Sequence, residues 1–197
     1  MAPLDYIPIV LVKEYYWCPV SACLKLTMWM ERETYSMMAG RLDGRSRGRL
    51  VELLAEMGVD GEMLWEYPVA SQALMVRGRV DLLIDHGSSA TIVEAKLTLP
   101  GRGKDSHIKA QLAAYSIAVE ETLHKPVART LLYLVEDGRI VEVRVKPYHR
   151  RMAEAAARAL WAMARRGCAD SPPARRIRCR VCSYRGVCPA LLTSRRR

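Results

Sequence analysis

Two alternating stretches, LMVRGRVDLLI at 74–84 and ATIVEAKLT at 90–98, stand a short turn apart and constrain the fold more than any other feature. In the first, Leu74, Val76, Gly78, Val80, Leu82 and Ile84 hold the even positions, while Arg77, Arg79 and Asp81 hold odd ones. Period-two alternation puts the two sets on opposite faces of a β-strand. In the second, Thr91, Val93, Ala95 and Leu97 share one face, and Ile92, Glu94 and Lys96 the other. HGSS at 86–89 reads as a turn. The two strands are therefore expected to form a hairpin that brings Asp81 and Glu94 together.

The flanking pattern mixes helices with strands. Residues 11–17 and 19–30 read as short helices, and 36–57 as a longer one ended by Gly58, with the glycine-rich GRLDGRSRG breaking or loosening its middle. A strand covers 62–70. After a PGRGKD loop at 100–105, residues 106–123 form a helix with Gln111 and Tyr115 on one face. Residues 128–136 and 139–146 alternate and meet at Asp137-Gly138, a hairpin signal. An alanine- and arginine-rich helix spans 149–166, and SPP at 171–173 ends regular structure. The order predicts an α/β fold, a mixed central sheet flanked by helices.

Charge is unevenly placed. The chain of 197 residues carries a net charge of +10, but residues 144–197 alone hold fourteen Arg and one Lys against Glu154 and Asp170. A basic segment on a near-neutral body is the pattern of a phosphate-backbone binder. Arginine outnumbers lysine 24 to 7 and asparagine is absent, a bias shared by thermophiles and GC-rich genomes. The longest apolar runs, such as IPIVLV at 7–12, are too short to cross a bilayer. No signal peptide is visible, so a cytoplasmic protein with reduced thiols is expected. Six cysteines then read as ligands rather than as a disulfide framework.

Asp81, Glu94 and Lys96 form the candidate catalytic group. Two carboxylates on neighbouring strands can hold a hard divalent cation such as Mg²⁺ or Mn²⁺, with the Ala95 backbone carbonyl as third ligand. Such a cation lowers the pKa of water and polarises a phosphoryl group. Lys96, on the same face as Glu94, can orient the water and stabilise developing negative charge. Gln111 and Tyr115 offer donors toward a phosphate or base. The competing reading of this pattern is a surface ion pair, yet Glu94 and Lys96 sit in an otherwise apolar stretch.

VDLLI at 80–84, IVEAK at 92–96 and QLAAY at 111–115 resemble the three core motifs of the PD-(D/E)xK nuclease superfamily in its RecB branch. With Tyr16-Trp17-Cys18-Pro19 and the late cysteines, nearly the whole chain is similar to the CRISPR-associated RecB-like exonucleases. The resemblance implies a restriction-endonuclease-like core with metal ligands Asp81 and Glu94, catalytic Lys96 and supporting Gln111 and Tyr115. It also implies an iron–sulfur cluster on Cys18, Cys179, Cys182 and Cys188. The implied activity is metal-dependent cleavage of DNA, most of all a 5′→3′ exonuclease on single strands, with some endonuclease action. The implied setting is capture of new CRISPR spacers beside the integrase complex. Glu66 matches a family position that assists the site. Many relatives supply a metal-binding histidine upstream, in a G-x3-H context, but GRLDGRSRG has none. Asp43 or water would fill that position. His86 and His107 read as surface residues.

CRVCSYRGVC at 179–188 supplies three thiols, and Cys18, set before Pro19 at a break between helices, is the choice for the fourth. Cys23 is the runner-up and otherwise a buried thiol; Cys168 reads as a lone thiol. Spacing alone favours a zinc site with four thiolates or is neutral between the two. The resemblance favours iron–sulfur, [4Fe–4S] ahead of [2Fe–2S]. In this arrangement residues 1–35 and 168–197 form one cluster-binding lobe on a nuclease core at 62–146, all in a single domain. Nearby arginines would offset the cluster's charge and lead DNA toward the site. Tyr15, Tyr16, Trp17 and Trp29 suit core packing better than base stacking. The alternative function is a non-catalytic DNA-binding protein with a structural zinc or iron–sulfur site.

Overall fold

The expected hairpin is present, and the sheet is built around its first strand. In the computed structural model, residues 5–28, 42–99, 105–168 and 176–192 are described. The elements are β1 (Ile7–Pro8), α1 (Val10–Trp17), α2 (Pro19–Met28), α3 (Gly44–Glu56), β2 (Glu62–Ser71), β3 (Val76–Asp85), β4 (Ala90–Lys96) and α4 (Ser106–Leu123). They continue with β5 (Val127–Leu134), β6 (Arg139–Glu142), α5 (Pro147–Arg166), a 3₁₀ turn (Arg176–Val181) and α6 (Pro189–Leu192). The sheet is mixed and follows the order β1-β3-β4-β5-β6, with β2 also paired to β3. β1 is parallel to β3 and β4 to β5; the other pairings are antiparallel.

Helices cover both faces. On one side the buried residues of α1, α2, α4 and α5 pack with Val76, Val80, Leu83 and Ile92. On the other, Leu50 and Leu54 of α3 pack with Leu82, Ile84, Val93, Leu131 and Tyr133. β4 is buried along almost its whole length, which is why its charged residues stand out in an apolar run. No helix among the described residues is long and apolar enough to cross a membrane.

Several expectations are corrected. Residues 72–75 form a turn, so β3 starts at Val76. The single alternation read through 74–84 is two half-patterns: Val76 and Val80 face the α4 side, whereas Leu82 and Ile84 face α3. β2 switches too, with Tyr67 and Val69 on the α4 side and Met63 and Trp65 toward α3. Within GRLDGRSRG, Leu42 and Asp43 stand outside a helix and Asp43 caps α3 by accepting the Ser46 N–H at 2.7 Å, while Gly44 and Gly48 lie inside the helix. Residues 36–41 of the expected longer helix, PGRG of the expected loop, SPP and Trp29 lie outside the described residues. β6 ends at Glu142; Val143 still donates its N–H to the Thr130 carbonyl at 2.9 Å, and 144–146 run on outside the strand. His86 is no free surface residue: its ring bonds the Asp60 carbonyl and, at 2.8 Å, Thr91 Oγ1. His107 is half-buried in the first turn of α4. Tyr15 and Tyr16 pack on the core, and the Tyr16 hydroxyl donates to the Met152 carbonyl at 2.8 Å.

The largest correction concerns thiols. Cys23 and Cys168 form a disulfide, with Cα atoms 5.7 Å apart across 145 residues of sequence. Cys168 is not a lone thiol, and Cys23 is not available as the fourth ligand. The bond joins α2 to the residue just past α5, two helices packed on the same face of the sheet. That proximity is tertiary and leaves no mark in the spacing.

Gly78 lets α4 close down on β3. A Cβ there would lie 2.9 Å from a ring carbon of Tyr115 and 3.2 Å from the side chain of Ile9. Gly78→Ala should therefore destabilise the fold by about 1–3 kcal/mol through overpacking, read as a lowered urea midpoint with unchanged m-value.

Candidate active site

Along one edge β3 pairs with β2 from Val76 to Asp85, apart from Asp81 at the level of Glu66, so β1 and β4 must share the other edge. β1 takes Val76 and Arg77, and β4 takes Leu82 to Asp85. Between them the edge from Gly78 to Asp81 has no strand partner, and the candidate residues gather at this gap. The Arg79 carbonyl accepts the Tyr115 hydroxyl at 3.0 Å, and the Tyr115 ring lies against Gly78. Where the β3–β4 ladder stops, Asp81 Oδ2 accepts the Ala95 N–H at 2.7 Å. A side chain thus replaces the last backbone acceptor, and the strands part there.

The site is largely withdrawn from water. Glu94 is 3% exposed, and its Oε2 accepts from Lys96 Nζ at 2.5 Å. Gln111 is also 3% exposed and hydrogen-bonds Tyr115, yet its Oε1 is buried without a partner. Burial and then the Glu94 charge push the Asp81 carboxyl up to about 8, against the pull of Lys96 and the Ala95 N–H. Glu66 adds to this push, so it stands near enough to be felt. Burial pulls the Lys96 ammonium down, but Glu94 and Asp81 outweigh it and hold its pKa above the usual value. Burial, then Glu94 and Asp81, raise the Tyr115 phenol well above its usual range. The gap thus holds Asp81, Glu94, Lys96, Gln111 and Tyr115 within mutual electrostatic reach.

Two features go beyond the sequence reading, which named Glu66 only by family resemblance and did not name Lys13. Glu66 has φ of 51°, a left-handed conformation that is strained for a non-glycine residue in a strand. It lies opposite Asp81 at the level where both strands change faces, and the only local signal is the charge in WEYPV. Lys13 of α1 is half-buried beside the group, its pKa lowered by burial and then by the Lys96 charge, against Glu14 and Glu94. A lysine in a helix of mixed character carries no sequence signal of this. Asp43 does not replace the absent histidine: its carboxylate is exposed and occupied with the α3 cap.

The remaining cysteines lie at a second place. Pro19 opens α2 and drives Cys18 out of the helical region to φ −161°, ψ 115°. Its buried thiol lines one small pocket with Cys179, Cys182 and Cys188, alongside Trp17, Tyr184 and Arg185. Burial raises the Cys182 thiol, opposed by the Tyr184 N–H and reinforced by the other three sulfurs. Cys18, Val20, Leu24, Tyr184 and Cys188 form an apolar cluster separate from the main cores. Among the described residues no group of three or more His, Cys, Asp or Glu is arranged to hold a metal ion as it stands.

The sequence matches the profile of the PD-(D/E)XK nuclease superfamily over residues 19–189. The chain belongs to the PD-(D/E)XK nuclease superfamily. Within that superfamily it is 30% identical to the CRISPR-associated exonuclease Cas4 of Aeropyrum pernix, over 95% of this chain and 97% of that protein. Its sequence places it with the Cas4-like, RecB-type nucleases. It is also 30% identical over 86 residues, 42% of its length, to an ATP-dependent helicase/nuclease of Desulforamulus reducens, covering 7% of that protein. The crystal structure of SSO0001 shares the fold, with a TM-score of 0.52 at 16% identity over 96% of this chain and 89% of that one.

In this PD-(D/E)XK nuclease the raised Asp81 pKa has a consequence for stability. Without metal the native state keeps a proton that the unfolded chain releases, so stability falls as pH rises from the usual 3.8 to about 8. Asp81→Asn removes that loss. In EDTA its melting temperature should exceed that of the unaltered protein by a margin that grows with pH and levels off above about 8, followed by calorimetry.

Proposed function

We propose that the chain is a metal-dependent DNA nuclease that cleaves phosphodiester bonds by activated water, acting as a 5′→3′ exonuclease on single strands in CRISPR spacer acquisition. The observation that carries the chemistry is the gathering of Asp81, Glu94, Lys96, Gln111 and Tyr115 at the unpaired edge of β3. Exonuclease action and the CRISPR setting are supported by likeness to the Aeropyrum exonuclease; polarity, single-strand preference and spacer acquisition follow the family resemblance of the motifs.

The residues suit a divalent cation. Asp81 holds a proton that a cation would displace, and the Gln111 amide oxygen is buried without a partner. Asp81, Glu94 and the Ala95 carbonyl would be the ligands. In a strand a residue's N–H and C=O point to the same side, so the Ala95 carbonyl faces the gap as its N–H does. A bound cation would lower the pKa of water and polarise the phosphoryl group. Lys96, kept charged by Glu94 and Asp81, would stabilise charge on the phosphoryl oxygens. Gln111, fixed beside Tyr115, would orient the water or a phosphate. Tyr115, whose proton is held on Arg79, would position rather than transfer protons. Lys13 would add a second cation from α1.

End-labelled single strands incubated with Mg²⁺ or Mn²⁺ should be degraded progressively from the 5′ end, and not in EDTA. Glu94→Ala should lower the rate by about 100-fold or more, as expected when a charge-stabilising group is lost. A protein that binds DNA yet cleaves in no divalent metal would leave the non-catalytic DNA-binding reading.

Cys18, Cys179, Cys182 and Cys188 would hold an iron–sulfur cluster, [4Fe–4S] ahead of [2Fe–2S]. The donor chemistry fits, because four thiols line one apolar pocket with Arg185 beside them. Its part would be structural, clasping residues 1–35 and 168–197 into one lobe beside a nuclease core at 62–146. Protein purified without oxygen should contain iron and acid-labile sulfide, and Cys182→Ser should lose both. Zinc without sulfide would replace the cluster with a four-thiolate zinc site.

A further inference from the structure

We infer that a groove formed by β6, the first turns of α4 and the start of α5 binds one nucleotide of single-stranded DNA, its base stacked on Tyr148 and its phosphates held by Arg144 and Lys146. This inference rests on the DNA-nuclease reading above and names a contact beyond the cleavage site.

The groove has a volume of about 390 Å³ and is lined by Leu99, Lys109, Arg144, Lys146, Tyr148 and His149 among others. Tyr148 is 58% exposed, and every other tyrosine and tryptophan among the described residues is at least partly buried. An exposed tyrosine in a cleft is a stacking platform, and any base can use it once unpaired. The ring is held in place. Pro147 and Lys146 start α5, the His149 ring accepts the Lys146 N–H at 2.9 Å, and the Tyr148 and His149 rings lie 5.6 Å apart.

Charge in the groove favours an anion. Its two acids are already matched: Asp105 with Lys109 at 2.9 Å and Glu142 with Arg129 at 2.8 Å. Arg144 and Lys146 are exposed and make no ion pair among the described residues, which leaves two cations flanking the tyrosine. They project from the extended run after β6, a spacing that follows a backbone better than a single point ligand. The groove and the catalytic gap share two chain segments. Leu99 follows Lys96 on the segment leaving β4, and Lys109 precedes Gln111 on α4. A strand seated on Tyr148 would cross the N-terminal end of α4 to reach Asp81 and Glu94. A duplex keeps its bases stacked on one another and cannot use the ring, so the groove would select single strands.

The test is binding of labelled oligothymidylate and of a duplex of equal length by the full chain carrying Glu94→Ala, in EDTA, by fluorescence anisotropy. Adding Tyr148→Ala should weaken single-strand binding by about 5- to 150-fold while duplex binding changes little. Adding Arg144→Ala and Lys146→Ala should reduce the salt dependence of single-strand binding by about 1.4 in log–log slope. Unchanged melting temperatures would exclude unfolding. Single-strand affinity that survives Tyr148→Ala, or falls in parallel with duplex affinity, overturns the inference. Cleavage by the chain without these substitutions is scored separately. Lost single-strand affinity in a protein that never cleaves keeps the groove and removes the nuclease reading; cleavage with indifferent Tyr148 does the reverse.

Discussion

The candidate site depends on β3 lending one edge to two partners. A strand fully paired along both edges has no place for a catalytic side chain to meet backbone groups. Here β1 stops after two residues and β4 begins five residues further on, so the edge between them must be satisfied otherwise. Buried backbone groups seldom go without a partner. Tyr115 supplies the missing donor to Arg79, and Asp81 supplies the missing acceptor to Ala95. Structural need and candidate chemistry thus fall on the same side chains. Gly78 is the precondition, since any side chain there would keep Tyr115 away.

The change of faces at Asp81 and Glu66 belongs to the same constraint. Regular alternation from Val80 would carry Asp81 toward the face that α3 covers. Instead the strands roll over at that level, and the strain sits in Glu66, whose φ of 51° no β-strand prefers. Irregular pairing beside an active site is a common way to re-aim a side chain. The result is a carboxylate whose proton is retained near neutral pH, beside Glu94 and the lysine that donates to it. Such a site is expensive to keep without a cation, and this is the physical reason to place one there.

Much of this was legible in the sequence. The hairpin, the helix carrying Gln111 and Tyr115, and the meeting of Asp81 with Glu94 follow from period-two and period-four spacing, which local residues determine. Lys13, the left-handed backbone of Glu66 and the Cys23–Cys168 bond were not legible, because each depends on which elements pack together. Lys13 comes to the site only because α1 lies on α4. Asp43 shows the opposite failure: a carboxylate at a suggestive position in the chain is committed to a helix cap by the residues next to it.

The disulfide changes how the basic C-terminal segment is held. That segment has few apolar residues and cannot bury a core of its own; its described part packs through Tyr184, Cys188, Ala190 and Leu191 onto Trp17, Val20 and Leu24. Cys168 ties the end of α5 to α2, so the chain enters the segment from a fixed point beside the helix that Cys18 precedes. A proposed cluster on Cys18 would then close a short path rather than the full length of the chain. Loop-closure entropy rises with the logarithm of loop length, so each clasp lowers the cost of the other. A disulfide in a protein expected to be cytoplasmic conflicts with the usual redox rule, and hyperthermophiles are its known exception. The arginine-rich, asparagine-free composition fits that exception as well as it fits a GC-rich genome. Redox chemistry at Cys23 and a proposed cluster on Cys18 would thus both act at the start of α2. Losing either one would loosen the lobe that the other is left to hold.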